Sequence, residues 1–489
     1  MLSLKSVDLK KVKIESLVIP VCEDRDLHDD ETLCSLINAA KKIKTFKGKK
    51  EDDLILYGLS GVKADNIIFL GLGKLEKIDA ESLRAVAGRA VKLVIKKQHI
   101  DVLIAVPSAE KVKIKMQAIL EAMMEGAFLG NHLYDKYKNE KTLRSLRRID
   151  FFVNADEARI YKKLPSRISA VCRGTILARE WVNMPPNDKR PESFAQSIEN
   201  QAKKEKLKVT VFNEKELKQK KFGAMLAVAA GSNNKPRMVI LEHCPAKTKK
   251  TVVFVGKGVT FDSGGINLKP AASLAEMKMD MAGAAAVAAT LISAARLKLK
   301  HRIVGIIPIV ENMPSGNATR PGDIIQSYGG KTVEIGNTDA EGRLILIDAL
   351  SYAIKKYHPQ TLIDVATLTG ACVVALGERI AGVFSFDDDL AENIVLSGQI
   401  THERCWRMPL VEDYKELIKS DFADLNNVGS TRYGGAITAA LFLSEFVKET
   451  SWAHIDIAGP AYAKKESAYC GAGGTGFGVR LLCDLAEKL

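Results

Sequence analysis

The run Thr251-Val252-Val253-Phe254-Val255-Gly256 is apolar at every interior position, with no polar residue in alternation. A strand wetted on one face alternates. A strand without alternation must be covered on both faces, which is the condition of a parallel sheet flanked by helices. Three further runs have the same character: Ile303–Val310, Thr361–Ala366 and His454–Ala458. Between them lie stretches with apolar residues at helical spacing, Ala282–Lys300, Arg343–Tyr357 and Ala436–Lys448. The pattern predicts an α/β fold with a mostly parallel sheet covered by helices on both faces. In such sheets ligands bind beyond the carboxyl ends of the strands. Lys257 and Asp262 follow directly after the Thr251–Gly256 run.

At 489 residues the chain exceeds one ordinary domain of roughly 100–200 residues, and two are expected. The first third alternates short apolar runs, 13–22, Asp53–Tyr57, Asn66–Gly71 and Asp101–Ala105, with helical stretches at Ala80–Lys97 and Lys111–Leu129. This predicts a smaller N-terminal α/β domain over 1–155, a linking helix over 156–182 and a larger domain over 183–489. The paired prolines at Pro185-Pro186 end the linking helix. Gly71-Leu72-Gly73-Lys74 has the outline of a phosphate loop without its remaining spacing, and reads better as the end of a strand.

The formal net charge is +13, and six lysines crowd into Lys41–Lys50. A solvated loop beside the acidic Glu51-Asp52-Asp53 accounts for that run. Nucleic acid is the alternative partner, without a helix-turn-helix, zinc-finger or aromatic RNA-binding pattern to support it. The eight cysteines are scattered with no Cys-x-x-Cys, and Met1–Lys5 lacks the pattern of a signal peptide. Reduced thiols in a cytoplasmic protein are therefore expected, with no membrane partner. Met281–Ala295 is apolar but shorter than the ~20 residues of a membrane span, and reads as a buried helix.

Four of the carboxylates in the segment Lys257–Arg343 stand among glycines and small residues: Asp262, Asp280, Asp339 and Glu341. Asp339 and Glu341, taken alone, would read as the cap of the helix that follows. Asp262 and Asp280, each placed at an expected strand end beside small residues, change that reading. Four converging carboxylates repel one another unless cations balance them. Two divalent ions carry four positive charges, and two-metal hydrolases hold such a pair about 3.5–4 Å apart on bridging carboxylates. The oxygen-rich ligands suit Mn²⁺ or Mg²⁺, and a lysine nitrogen that loses its proton beside two dications would widen tolerance to Zn²⁺.

At these residues the chain resembles the leucyl aminopeptidases, two-metal cytosolic exopeptidases. The resemblance rests on Val255-Gly-Lys-Gly-Val-Thr-Phe-Asp-Ser-Gly-Gly265 and Asn337-Thr-Asp-Ala-Glu-Gly-Arg-Leu344. It is supported by Leu177–Asn187, Ala366–Cys372, Gly434–Phe442 and Trp452–Gly459, and is looser at Gly471–Gly478. It implies that 183–489 is a catalytic domain and that 1–155 is not. It implies metal ligation by Lys257, Asp262, Asp280, Asp339 and Glu341. Asp262 and Glu341 would bridge both ions and Asp339 would bind the first. Lys257, as a neutral amine, and Asp280 would bind the second. Lys269 would donate to the developing oxyanion, and Arg343 would hold a bicarbonate that shuttles a proton. The expected reaction is release of N-terminal amino acids, apolar ones preferred, from peptides with a free N-terminus. A metal-bound hydroxide would be the nucleophile, and the role intracellular peptide turnover. Mn²⁺ is the expected metal, with Zn²⁺ next, and the expected assembly a homohexamer. Met277 and Thr367–Gly370 would shape the apolar pocket.

Two rivals remain on the sequence: a basic DNA-binding or scaffold protein with structural metals only, and another two-metal hydrolase such as a phosphoesterase. Other chemistries fail on spacing. Gly256-x-Gly258 lacks a third glycine, Gly330-Lys331-Thr332 has Ile325 where a phosphate loop needs glycine, and His402-Glu403 has Trp406 where a zinc protease needs histidine. Ser263 lacks a nucleophile turn.

Overall fold

The structure is a computed structural model that describes every residue except Lys247 and Lys249. The chain forms two compact units. One comprises Met1–Cys172 with Lys465–Ala472, and the other comprises Arg173–Lys464 with Gly473–Leu489. The division falls inside the helix Leu164–Asn183. The segment expected as a single helix over 156–182 is two, Ala155–Ile160 and Leu164–Asn183, separated by a turn at 161–163.

The first unit has a six-stranded sheet. In chain order its strands are β1 (Leu2–Lys5), β2 (Ile14–Cys22), β3 (Asp53–Tyr57), β4 (Ala64–Gly73), β5 (Asp101–Ala105) and β6 (Arg148–Phe152), arranged β1-β6-β5-β2-β4-β3. Only β3 runs antiparallel to its neighbour. Leu17, Ile19, Val21, Ile67 and Phe69 pack with Leu33, Leu36 and Ile37 of the helix Glu31–Lys41. Gly71 and Gly73 are ladder residues of β4, paired with Val21 and Cys22. The lysine-rich run is tied at its backbone to the acidic residues beside it, since Lys47 and Lys49 both donate their N–H to Asp52 Oδ2. The stretch expected as one helix over Lys111–Leu129 is broken: Lys113, with φ of +57°, ends Ala109–Val112, and Met116–Gly130 follows. The returning segment joins this unit through Lys92, whose Nζ donates to Ser467 O, and Tyr469, whose hydroxyl donates to Glu81.

The second unit carries a nine-stranded sheet with β7 (Lys208–Phe212), β8 (Arg237–His243), β9 (Thr251–Gly256), β10 (Gly258–Asp262) and β11 (Arg302–Asn312). The order runs Cys405–Arg407, Ala381–Phe384, Trp452–Asp456, Thr361–Ala366, β9, β11, β8, β7, with β10 also on β11. The central four, Trp452–Asp456 through β11, are mutually parallel. Reversed strands adjoin this block on either side, β8 on one and Ala381–Phe384 with its parallel neighbour Cys405–Arg407 on the other. The expected α/β class with a mostly parallel sheet is the class observed.

The apolar run Val252–Val255 is buried on both faces, as its lack of alternation requires. Val253 and Val255 share a cluster with Leu344, Ile345 and Ala349 of the helix Glu341–Tyr357. The opposite face, marked by Gly305, meets Val287 and Leu291 of the helix Ala282–Leu297. The stretch Met277–Leu297 has a membrane span's length and apolarity, but 83% of its most apolar window is buried inside the protein. It is the core helix that the sheet needs. Gly283 permits this packing, because a Cβ there would sit 2.0 Å from Val365 O. That close approach brings the segment before the helix to the carboxyl ends of β9 and Thr361–Ala366.

All eight cysteines are free thiols.

Candidate metal centre

The groups expected to hold metal come from strand ends, a short turn and a helix start. Lys257 follows β9, and Asp262 ends β10. Asp280 was expected at a strand end. It instead closes the 3-10 turn Met277–Met279 that leads into the helix Ala282–Leu297. Asp339 does not cap the next helix: the capping residue is Ala340, without a side-chain hydrogen bond, and Glu341 is the first helical residue. With Asp339 not spent on a cap, both carboxylates are available to the centre.

The structure brings these groups together across long sequence separations. One oxygen each of Asp262, Asp280 and Glu341 lie within 4.8 Å of one another, and all three residues are buried. Lys257 Nζ is 2.7 Å from Asp280 Oδ1 and 2.8 Å from Glu341 Oε1, and donates to Thr367 O at 2.8 Å. Lys269 Nζ is 2.9 Å from Asp262 Oδ2 and 2.5 Å from Asp339 Oδ1. Lys269 and Asp339 form the open rim, with side chains 16% and 34% exposed. Among the described residues Arg343 forms no ion pair with a carboxylate. It is buried and donates from Nη1 to Asn427 O at 2.7 Å.

The electrostatics are those of a crowded anionic cage. Burial, the largest cause in each case, pushes the carboxyls of Asp262, Asp280 and Asp339 above the usual range. The charge of Glu341 raises Asp262 and Asp280 further, and that of Asp262 raises Asp339. The lysines oppose this. Burial lowers the Lys257 pKa, but the charges of Asp280, Glu341 and Asp262 outweigh it and hold the pKa above the ordinary lysine value. Burial also lowers Arg343, to about 10.

The donor set fits divalent cations on an independent ground. Asp280 Oδ2 is buried without a hydrogen-bond partner, a costly condition for a carboxylate oxygen. Hard oxygen donors of this kind suit Mn²⁺ and Mg²⁺. Gly342 makes the room: a Cβ there would lie 2.7 Å from Lys257 Nζ.

Sequence reasoning did not single out several residues that order this centre. Asn312 donates from Nδ2 to Asp262 Oδ1 at 2.8 Å and to Thr338 O at 3.1 Å. Thr367, expected at the apolar pocket, also orders the centre. Its carbonyl meets Lys257 and its hydroxyl donates to Asp280 Oδ1 at 2.7 Å. Asp456 is fully buried and accepts from Leu368 N, Ala458 N and the Thr369 hydroxyl, so it fixes the loop that carries Thr367. Asn427 binds the backbone of Gly336 and Asn337 while accepting from Arg343. Only Asp456 carried a signal, an acidic residue two places after His454 at the end of an apolar strand.

Comparison with known proteins bears on what this centre does. The catalytic-domain model of the cytosol aminopeptidase family matches residues 176–483, and its N-terminal-domain model matches 18–141. A Chlorobium limicola protein described as "Probable cytosol aminopeptidase" is 42% identical over 503 residues, covering 100% of this chain and 99% of that one. A Chlorobaculum tepidum protein of the same description is 44% identical over 460 residues, 90% of each chain. Among solved structures, the bottromycin maturation enzyme BotP in complex with Mn is 33% identical. It superposes with a TM-score of 0.87 over 97% of this chain and 99% of that one.

Proposed function

The chain belongs to the cytosol aminopeptidase family and is a metallo-aminopeptidase; from that premise we propose that it releases N-terminal amino acids, leucine and other apolar ones preferred, by means of two divalent ions held by Lys257, Asp262, Asp280, Asp339 and Glu341. The observation that carries this reading is the buried trio Asp262, Asp280 and Glu341 with the partnerless Asp280 Oδ2.

In this reading Asp262 and Glu341 would serve both ions and Asp339 the first. Lys257, as a neutral amine, and Asp280 would serve the second. Bound there, two dications activate water near neutral pH and polarise the scissile carbonyl. The substrate's free α-amine belongs at the same centre, which makes an unblocked N-terminus a requirement. Lys269, charged and at the rim, donates to the oxyanion as it develops. Arg343 holds a bicarbonate. Its Nε is buried without a partner, and Asn427 O fixes the other end of the guanidinium. Met277 and Thr367–Gly370 border the apolar side-chain pocket. Mn²⁺ is the proposed metal, on the oxygen-rich donors and the Mn complex of the solved relative, with Zn²⁺ second. Residues 183–489 form the catalytic domain, 156–182 the linker and 1–155 a non-catalytic domain. Assembly as a homohexamer, residence in the cytoplasm and a part in peptide turnover follow the family resemblance. The free cysteines and the relatives' descriptions support the compartment.

The test is an assay after chelation. Leu-p-nitroanilide hydrolysis is expected to vanish with EDTA and to return with Mn²⁺, less fully with Zn²⁺. N-acetyl-leucine p-nitroanilide and p-nitrophenyl phosphate should stay uncleaved. Full activity after exhaustive chelation would refute the proposal.

A further inference from the structure

The helix Leu164–Asn183 runs directly into Pro185 and Pro186. In a continuing helix the carbonyls of Trp181 and Val182 would meet the N–H groups four residues on. Those positions are the two prolines, which have none. The ammonium of Lys189 takes their place. Its Nζ donates to Trp181 O at 2.9 Å and to Val182 O at 3.0 Å. A turn in which the N–H groups of Asp188 and Lys189 both donate to Pro185 O brings the side chain back to the helix end.

The third donor goes elsewhere. Lys189 Nζ also donates to Lys278 O at 2.6 Å, across 89 residues of sequence. Lys278 lies in the turn Met277–Met279, which Asp280 closes. Backbone hydrogen bonds hold the turn as well: Met279 N donates to Glu276 O at 2.9 Å, while Asp280 N reaches Met277 O at 3.4 Å and Val259 N reaches Asp280 O at 3.3 Å. Lys189 is wholly buried, and its hydrogen bonds all go to backbone carbonyls. Burial and the charge of Lys278 push its pKa well below the ordinary lysine value. Serving three acceptors at once needs three N–H donors, which only the ammonium has.

We infer that Lys189 is a positioning residue for Asp280. It fastens the turn that presents this carboxylate to the proline-capped end of the helix, and so sets the Asp280 side of the metal centre. Thr367 and Lys257 fix one oxygen of the Asp280 carboxylate. Lys189 fixes the backbone from which the side chain projects. The inference rests on the reading that Asp280 holds an ion.

The test uses Lys189→Met, which keeps the length and removes the donors, and Lys189→Gln, which keeps two donors on a shorter chain. Mn²⁺ binding is measured by calorimetry, with kcat and KM on Leu-p-nitroanilide at limiting and saturating Mn²⁺ and the thermal midpoint alongside. In the Met variant one ion is expected to bind as in the wild type and the other about 10–100-fold more weakly, the range seen when residues supporting metal ligands are removed. Activity should fall at limiting Mn²⁺ and return in excess Mn²⁺, with KM within about twofold of wild type. The Gln variant should lie between. A folded variant with a lowered midpoint but unchanged affinity for both ions would reduce Lys189 to a helix cap and overturn the inference. Should the Met variant not be recovered folded, the Gln variant is judged by the same criterion. A wild-type protein that binds no ion would instead overturn the metal reading, and the positioning role with it.

Discussion

Lys269→Ala is expected to yield a folded protein with both ions bound and with kcat on Leu-p-nitroanilide reduced about 10²–10³-fold, the usual cost of losing one oxyanion donor. Without metal, Lys269 pairs with Asp262 and Asp339. Burial lowers its pKa, but Asp262 and Glu341 more than restore it, so the group is an ammonium at neutral pH. Ions bound to those same carboxylates would take over their charge and leave the ammonium facing the open rim. Removing Lys269 subtracts a cation that competes with the metals, so metal content should not fall. KM should change little, because the interaction is made in the transition state. A Lys269→Ala enzyme with undiminished kcat would remove the residue from the mechanism.

Glu341→Gln is expected to behave in the opposite way, losing the ions and with them more than about 10³-fold in activity, since the centre supplies both nucleophile and charge stabilisation. Glu341 is buried, within ligand distance of Asp262 and Asp280, and 2.8 Å from Lys257 Nζ. In the metal-free protein the substitution removes one attraction for Lys257 and one repulsion for each neighbouring carboxylate, so the thermal midpoint should shift little. The wild type should gain about 2.7 kcal/mol at a metal concentration 100 times its Kd, and the variant should not. The pair of variants separates two roles that a loss of activity alone would merge. Thermal scans with and without Mn²⁺ make the distinction. A Glu341→Gln protein that keeps both ions would show that the bridging role is misassigned.

How much of this was legible depends on how local each signal is. The strand Thr251–Gly256 declared itself because burial on both faces erases alternation within six residues. Lys257 and Asp262 were legible because they adjoin that strand. Asp280 was placed at a strand end because a single 3-10 turn has no period to read. The break at Lys113 was invisible because a lysine, with no glycine or proline beside it, takes the left-handed conformation there. The turn at 161–163 lies just before Pro165, which a helix tolerates only in its first turn, so the break carried a local signal that the reading of one continuous helix passed over. Asn312, Asn427 and Lys189 act through partners 50 to 90 residues away, and no spacing rule announces such pairs. The prolines at 185 and 186 announced the helix end, but not that the two carbonyls they orphan would be met by an ammonium.

The central claim is that carboxylates from three separated segments cage two dications beside one unprotonated lysine. The most direct measurement is a crystal structure of the Mn²⁺-loaded enzyme with anomalous scattering recorded at the manganese edge. The account predicts two peaks per subunit, about 3.5–4 Å apart, both in contact with Asp262 and Glu341, one also with Asp339 and the other with Asp280 and Lys257 Nζ. A single peak, or none, with Lys257 still ion-paired to Asp280 and Glu341 in a Mn²⁺-saturated and active protein, would contradict it.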